Sequence, residues 1–131
     1  MQTSTRYFYR RANKLKSRKT IERLFKEGKN FSNFPFRVYW LPGDPGSILQ
    51  AGVGVPARHF KKAVERNRIK RLMREAWRLQ KNPLEQMLAQ QEKSLCVFIL
   101  YSGTDLPGYD TIFEKTTHVL NRLIKLAGEN N

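Results

Sequence analysis

Residues 61–81 read KKAVERNRIKRLMREAWRLQK. This stretch decides the fold because one side of it is apolar and must be buried in a protein core, whereas the other side is basic. With about 3.6 residues per helical turn, its apolar side chains fall in a single stripe, which predicts an amphipathic helix. The residues of this stripe are Ile69, Leu72, Met73, Ala76, Trp77 and Leu79.

The opposite side of this predicted helix is a basic edge. From Asn67 through Arg71 and Arg74 to Arg78 the steps are +4, +3 and +4, so the side chains lie about one turn apart, with Lys70 on the same side. A solvated helix face normally mixes charge signs, yet Glu65 and Glu75 are the only acids in residues 61–81. Guanidinium groups suit bidentate contacts with phosphate, so the edge favours nucleic-acid binding over simple solvation.

The charge of the whole chain agrees with this interpretation. The formal net charge is +14, and residues 1–29 and residues 58–81 each hold ten Lys or Arg against two Glu. Each segment therefore carries +8, and the remainder of the chain sums to −2. Two basic segments in an otherwise nearly neutral chain predict a binding surface for a polyanion.

The length and composition predict a single domain over residues 1–131, with an irregular basic arm over about residues 1–16. The longest apolar run, residues 95–101, is too short to span a bilayer, and the first residues do not read as a secretory signal. We therefore expect a cytoplasmic protein that does not bind membranes. With one cysteine and two histidines, neither an internal disulfide nor a zinc finger is expected, and Cys96 is predicted to be a buried, reduced core residue.

Catalytic groups within the chain are not indicated. His59 and His118 are far apart in sequence without a motif around either, and the acids outside the basic segments form no two-metal pattern. We expect no catalytic or metal-ligating residue in the chain, and a binding partner is better supported than a stand-alone nuclease.

The periodicity predicts an α+β fold in which a single sheet packs with helices in the order α-β-β-α-β-α. A first helix is predicted over residues 18–27, with Ser17 as N-cap and Gly28 as the stop. A strand over residues 36–41 needs only one of its two faces in the core, and a turn cluster follows it. The next strand, residues 48–55, is predicted to return antiparallel.

The second half of the chain is predicted from similar signals. Asn82-Pro83 closes the basic helix, and residues 83–92 are predicted to form a further short helix. Residues 95–101 are apolar without alternation, as in a central strand covered on both faces. Thr111 with Glu114 predicts a capping box for the last helix, and Gly128 is expected just past its end.

These residues alone leave several functions open. A basic ribosomal or general RNA-binding protein would explain the charge equally well. A DNA-binding regulator that uses residues 61–81 as a recognition helix is less favoured, because no partner helix or dimerising heptad accompanies that stretch.

The run AVERNRIKRLMREA at residues 63–76 resembles the signature of the bacterial ribonuclease P protein component, in which Arg-Asn-Arg is followed by Ile-Lys-Arg and Arg-Glu. The resemblance extends to residues 15–28 with their LFKEG ending, to the strand containing Tyr39, to GVGV at residues 52–55 and to PGYD at residues 107–110. It covers most of the chain in the right order.

The resemblance implies the protein subunit of a ribonucleoprotein endonuclease that removes the 5′ leader from precursor tRNA. It implies that the RNA subunit is the catalyst and that magnesium is bound mainly by RNA. The expected partners are the catalytic RNA of ribonuclease P and precursor tRNA, with no obligate protein partner. The resemblance also implies a left-handed β-α-β crossover, against the usual right-handed rule.

Site residues follow from the resemblance position by position. The residues expected to bind the RNA subunit are Arg66, Asn67, Arg68, Lys70, Arg71, Arg74, Arg58 and Lys62. The residues expected to line the cleft for the single-stranded leader are Phe25, Tyr39, Arg37 and Ile21.

Two departures from the family pattern affect these expectations. Pro56-Ala57-Arg58 stands where the family often has Ser-Lys-Lys, which leaves one basic residue there, with Lys61 and Lys62 nearby as substitutes. Ile21 replaces an aromatic residue that commonly lies one turn before Phe25. An aliphatic side chain packs against a base but does not stack on it as a ring does.

Overall fold

The computed structural model of the chain describes residues 18–43 and 46–129. Its elements follow one another as α1 (Arg18–Glu27), β1 (Lys29–Asn33), β2 (Phe36–Pro42), β3 (Leu49–Gly54), α2 (Ala63–Gln80), α3 (Asn82–Gln90), β4 (Leu95–Tyr101) and α4 (Tyr109–Glu129). The predicted α+β fold and its α-β-β-α-β-α order are confirmed, including the short helix after Pro83, and β1 is an addition. The predicted arm over residues 1–16 and the predicted N-cap Ser17 lie outside the described residues.

One four-stranded sheet, in the order β1-β2-β4-β3, organises the molecule. The apolar strand β4 is central, as its sequence predicts, and it pairs antiparallel with β2 and parallel with β3. The strand β3 therefore does run opposite to β2, as predicted, but the two are not neighbours because β4 lies between them.

One face of the sheet carries the main core. Phe36, Val38 and Trp40 of β2 point to it, and all three are buried. α2 and α4 cover this face through Ile69, Met73, Ala76 and Trp77 of α2 and through Ile112, Val119, Leu120 and Leu123 of α4. Fully burying one such side chain contributes roughly 1.5–3 kcal/mol. Of the predicted stripe, these four α2 residues are in the core, Leu72 packs against it partly buried, and Leu79 is half-buried outside this cluster.

The opposite face of the sheet carries α1. Leu24 of α1 is fully buried there and forms a smaller cluster with Cys96 and Phe98 of β4. Cys96 is buried, as predicted. This second cluster leaves much of the face uncovered, and Tyr39 and Leu100 at its border are only partly buried.

Two predicted helix signals are wrong at α4. The carbonyl of Gly108 accepts the first intrahelical bond, from Ile112 N, so α4 begins at Tyr109 and Thr111 lies inside its first turn instead of capping it. Gly128 lies within the last turn, since the helix continues to Glu129. Both errors are local, because helix ends depend on competing neighbouring signals.

The connection between β3 and β4 passes through α2 and α3 and joins two parallel neighbours. The left-handed path that the resemblance implies for this crossover stays a prediction. Among residues 18–43 and 46–129, the helices are all too short or too polar to cross a bilayer.

Candidate nucleic-acid interface

The basic edge of α2 is on the surface. Asn67, Arg68 and Arg71 are exposed, whereas Lys70 and Arg74 are half-buried. Among the described residues, none of these four cations forms an ion pair with an acid. Because their charges are not compensated by the protein, they are available to a polyanion.

Arg78 differs from the rest of this edge. Its guanidinium donates to both carboxylate oxygens of Glu75, one turn earlier in α2. This hydrogen bond raises the pKa of the Arg78 guanidinium above its ordinary value. The nearby carboxylate offsets the charge of Arg78, and the uncompensated edge therefore ends at Arg74.

Arg66 is turned partly toward the protein. Its Nη1 donates to the carbonyl oxygens of Phe60 at 2.7 Å and of Lys61 at 2.9 Å, and the residue is half-buried. Phe60 itself is buried against Tyr101, with ring centroids 6.0 Å apart. Arg66 thus holds the loop before α2 against the helix, a role that was not predicted.

The loop before α2 presents further cations. Arg58, Lys61 and Lys62 are all exposed. Lys62 precedes α2 directly, and its carbonyl accepts from Glu65 N and Arg66 N. The loop therefore places three cations at the start of the basic edge, although Pro56-Ala57 replaces two residues of the family pattern.

A second surface lies on the other face of the sheet, where α1 packs beside β2. Phe25 is 46% exposed and meets Tyr39 edge to face, with ring centroids 4.7 Å apart and planes at 80°. Phe25 also meets Phe98 edge to face at 5.5 Å. Phe98 was not predicted for this surface, because the apolar run of β4 gave no sign of which of its side chains reach α1.

Ile21 lies one turn before Phe25 and is half-buried. It packs against the cluster of Leu24, Cys96 and Phe98 instead of standing free. The structure therefore places Ile21 as a wall of this surface, and Phe25 with Tyr39 supplies its exposed aromatic groups.

Arg37 extends the same surface toward β1. It lies two residues before Tyr39 and on the same face, and it is exposed. Its Nη1 donates to Ser32 Oγ at 2.7 Å and its Nη2 donates to Asn30 Oδ1 at 3.3 Å. We call the surface formed by Ile21, Phe25, Arg37, Tyr39 and Phe98 the α1–β2 groove.

The far side of this groove is flat because β3 places glycine beside Phe98. A Cβ on Gly54 would lie 2.8 Å from Cζ of Phe98, closer than van der Waals contact allows. Glycine there lets the Phe98 ring lie against the backbone of β3. Phe98 therefore packs against β3, whose chain leads through the loop of residues 55–62 into the basic edge.

Besides Phe98, sequence reasoning missed Asn30 and Ser32 at this site, because β1 was not predicted. A signal was present, since Asn30 and Ser32 alternate around Phe31, which is buried on the core face. Period-two alternation over such a short polar segment is weak evidence for a strand.

Metal-ligating residues are not grouped on the described part of the chain. There, no three His, Cys, Asp or Glu side chains come close enough to hold an ion together. His118 is exposed on α4, and His59 lies half-buried in the loop before α2.

Comparison with known proteins identifies the family of the chain. The Ribonuclease P family model matches residues 9–124. The ribonuclease P protein component of Porphyromonas gingivalis is 32% identical over 120 residues, spanning 90% of this chain and 85% of that protein. The component from Bacillus velezensis is 30% identical over 119 residues, spanning 88% of this chain and 90% of that protein.

A solved structure shows the same fold. The Staphylococcus aureus RNase P protein superposes with a TM-score of 0.66 at 20% identity, covering 84% of this chain and 94% of that chain. The chain therefore belongs to the ribonuclease P family, as the protein component of a tRNA-processing endoribonuclease.

Proposed function

We propose that this chain binds the catalytic RNA of ribonuclease P through α2 and its preceding loop, and that it binds the 5′ leader of precursor tRNA through the α1–β2 groove. The single observation that carries the proposal is the separation of two surfaces of different chemistry. The edge of α2 is cationic and uncompensated, which suits a folded phosphate backbone. The groove is aromatic with one arginine, which suits unpaired bases.

On this proposal the protein contributes positioning and charge, while the cleavage chemistry belongs to the RNA. Arg68, Arg71 and Arg74 would neutralise phosphates where the RNA subunit meets the protein, and Phe25 with Tyr39 would hold a leader base. Binding the leader beside the docked RNA lowers the entropic cost of bringing the scissile phosphate to the catalytic centre. The enzyme would act in the cytoplasm.

Magnesium enters this proposal as an ion held by the RNA subunit and the substrate. When bound there, it would supply the metal-assisted hydrolysis of the phosphodiester. The protein's own residues would help by reducing repulsion between phosphates that approach one another, so less magnesium would be needed for the same activity.

A reconstitution experiment tests the proposal. Purified chain and in vitro transcribed RNA subunit are mixed with 5′-labelled precursor tRNA at low magnesium, and leader release is measured. We expect cleavage by the mixture at a magnesium concentration where the RNA alone is slow, and no cleavage by the chain alone. Efficient cleavage by the chain alone would contradict the assignment of the chemistry to RNA.

A binding control separates this function from general RNA binding. With the RNA subunit present, the complex should bind precursor tRNA more tightly than mature tRNA, and the difference should grow with leader length up to the size of the groove. Equal affinity for both RNAs would favour a general RNA-binding protein.

A further inference from the structure

Arg37 is held in place by neutral side chains of the edge strand β1. Ser32 lies directly opposite Arg37 and Asn30 lies directly opposite Tyr39, so both side chains emerge on the groove face. Their oxygens accept from Nη1 at 2.7 Å and from Nη2 at 3.3 Å, respectively. Serine and asparagine carry no charge, so they orient Arg37 without offsetting its positive charge.

The held guanidinium keeps donors free for a ligand. A guanidinium has about five N–H donors, and β1 uses one on each terminal nitrogen. Arg37 is exposed and, among the described residues, has no acidic partner. Because a pre-oriented side chain loses less rotamer freedom on binding, such an arginine binds a phosphate better than a freely rotating one.

Arg37 lies where it can contact the phosphate next to a base that stacks on Tyr39. Arg37 and Tyr39 are two residues apart on one strand face, which is a separation of about 7 Å along β2. Tyr39 presents its ring beside the exposed Phe25, so an aromatic platform and a fixed cation stand in one row. A single-stranded nucleic acid offers alternating bases and phosphates to such a row.

We propose that Asn30 and Ser32 are positioning residues that hold Arg37 against one phosphate of the 5′ leader, next to the base that Tyr39 and Phe25 bind. The inference rests on the proposed function and deepens it, because it makes the edge strand β1 part of the leader site. It also predicts that the charge of one particular leader phosphate matters more than that of its neighbours.

A phosphate scan tests the inference. Precursor tRNAs carry a single neutral methylphosphonate at successive leader positions, and their affinity for the assembled complex of RNA subunit and chain is measured. With the unaltered chain, one position should lose about ten- to a hundredfold in affinity, the strength of a charge-assisted hydrogen bond. With Arg37→Ala, the same methylphosphonate should cost less than about twofold, because its partner is gone.

Three changes in β1 separate positioning from simple structure. Asn30→Asp would hold the guanidinium at least as firmly but would offset its charge, so leader affinity should fall about as far as in Arg37→Ala. Asn30→Ala with Ser32→Ala should lower leader affinity about two- to fourfold, through the loss of neutral hydrogen bonds. Ser32→Thr keeps the hydroxyl and should leave the leader affinity unchanged.

Arg122→Ala is the matched control. Like Arg37, Arg122 of α4 contacts β1, but it does so on the opposite face of the sheet. Its guanidinium lies over the ring of Phe31, 4.6 Å from the ring centroid. Its removal takes away the same charge and should change leader affinity by less than about twofold.

The outcomes distinguish this inference from the proposed function. If the complex prefers precursor over mature tRNA but the methylphosphonate costs are the same with and without Arg37, the phosphate contact is wrong and the leader groove stands. If Asn30→Asp leaves leader affinity unchanged, the charge of Arg37 plays no part and the inference is likewise wrong. If the complex shows no preference for the precursor, both proposals fall together.

Discussion

The pair of Phe25 and Tyr39 shows how one contact prepares a binding surface. Their edge-to-face packing fixes both rings while leaving Phe25 46% exposed. An aromatic pair of this geometry contributes about 0.5–1.5 kcal/mol beyond its buried area, so the rings are ordered before any ligand arrives. A base that stacks there meets a preformed platform.

Replacing Tyr39 with alanine should therefore weaken leader binding. We expect Tyr39→Ala to cost on the order of 1–3 kcal/mol in affinity for precursor tRNA while mature tRNA binds as before. Fluorescence titration of the assembled complex with both RNAs measures the difference. Tyr39→Phe keeps the ring and is the control. An unchanged precursor affinity in Tyr39→Ala would remove Tyr39 from the site.

Arg66 shows where residue-level prediction stops. The family pattern predicts an RNA contact for each basic residue of residues 66–74, but it does not show that Arg66 also bonds the carbonyls of Phe60 and Lys61. Those oxygens belong to a loop without a periodic signal, so their positions depend on the fold and cannot be read from spacing. The burial of Ile69 and Trp77, in contrast, followed from helical periodicity alone.

At the scale of elements, α2 joins recognition to packing. Its buried stripe fixes the rotation of the helix against α4, and that rotation determines which cations reach the surface. Arg71 is exposed and Arg74 is half-buried, and neither has an acidic partner within residues 18–43 and 46–129, whereas Arg78 is paired with Glu75. The three arginines lie on one edge but differ in the charge that they can offer.

Alanine substitution along this edge should reveal that difference. Arg71→Ala or Arg74→Ala should weaken binding to the RNA subunit and lower the log–log salt slope by roughly 0.9 or less for each lost phosphate contact. Arg78→Ala is the matched comparison and should change the slope less, because Glu75 already offsets its charge. Filter binding over a series of salt concentrations measures all three. Equal slopes for the three variants would contradict an RNA contact centred on Arg71 and Arg74.

Element prediction succeeded where the hydrophobic period was strong and failed where it was weak. The helix α1 has the predicted bounds, Arg18–Glu27, and β4 has the predicted Leu95–Tyr101. The strand β1 was missed because its sequence, KNFSN, buries only Phe31. The start of α4 was misplaced because Thr111 and Glu114 match a capping box. The helix in fact begins earlier, and the carbonyl of Gly108 accepts its first intrahelical hydrogen bond.

At the scale of the whole molecule, the position of the basic helix α2 depends on the packing of the core. Trp77 is 2% exposed and is among the largest fully buried side chains. It belongs to the same helix as the uncompensated cations and to the cluster shared with α4 and the sheet. The stability of the fold and the shape of the RNA surface therefore depend on the same packing.

Trp77→Ala should destabilise the protein by about 3–5 kcal/mol, since it removes a large buried side chain and leaves a cavity. Urea denaturation followed by circular dichroism measures this free energy of unfolding. Val64→Ala, at a position 79% exposed on the same helix, should change it by less than about 0.5 kcal/mol. Similar stabilities for the two variants would show that α2 is not anchored in the core.

Strand order is a property of the whole molecule that local patterns do not encode. The turn after β2 predicts a return in direction, and β3 does return, but the pairing partner of both strands is Leu95–Tyr101, much later in the chain. The apolar run of β4 predicts a central strand, but its insertion between β2 and β3 is a matter of tertiary packing, which propensity does not determine.

The central position of β4 has a consequence for synthesis on the ribosome. β2 and β3 are translated well before β4, and neither can complete its hydrogen bonding on that side until residues 95–101 leave the exit tunnel. Because domains fold as units once their long-range contacts become available, a nascent chain that stalls before β4 would hold exposed strand edges beside a strongly basic segment. Its cations would then meet ribosomal RNA before they met their own partner.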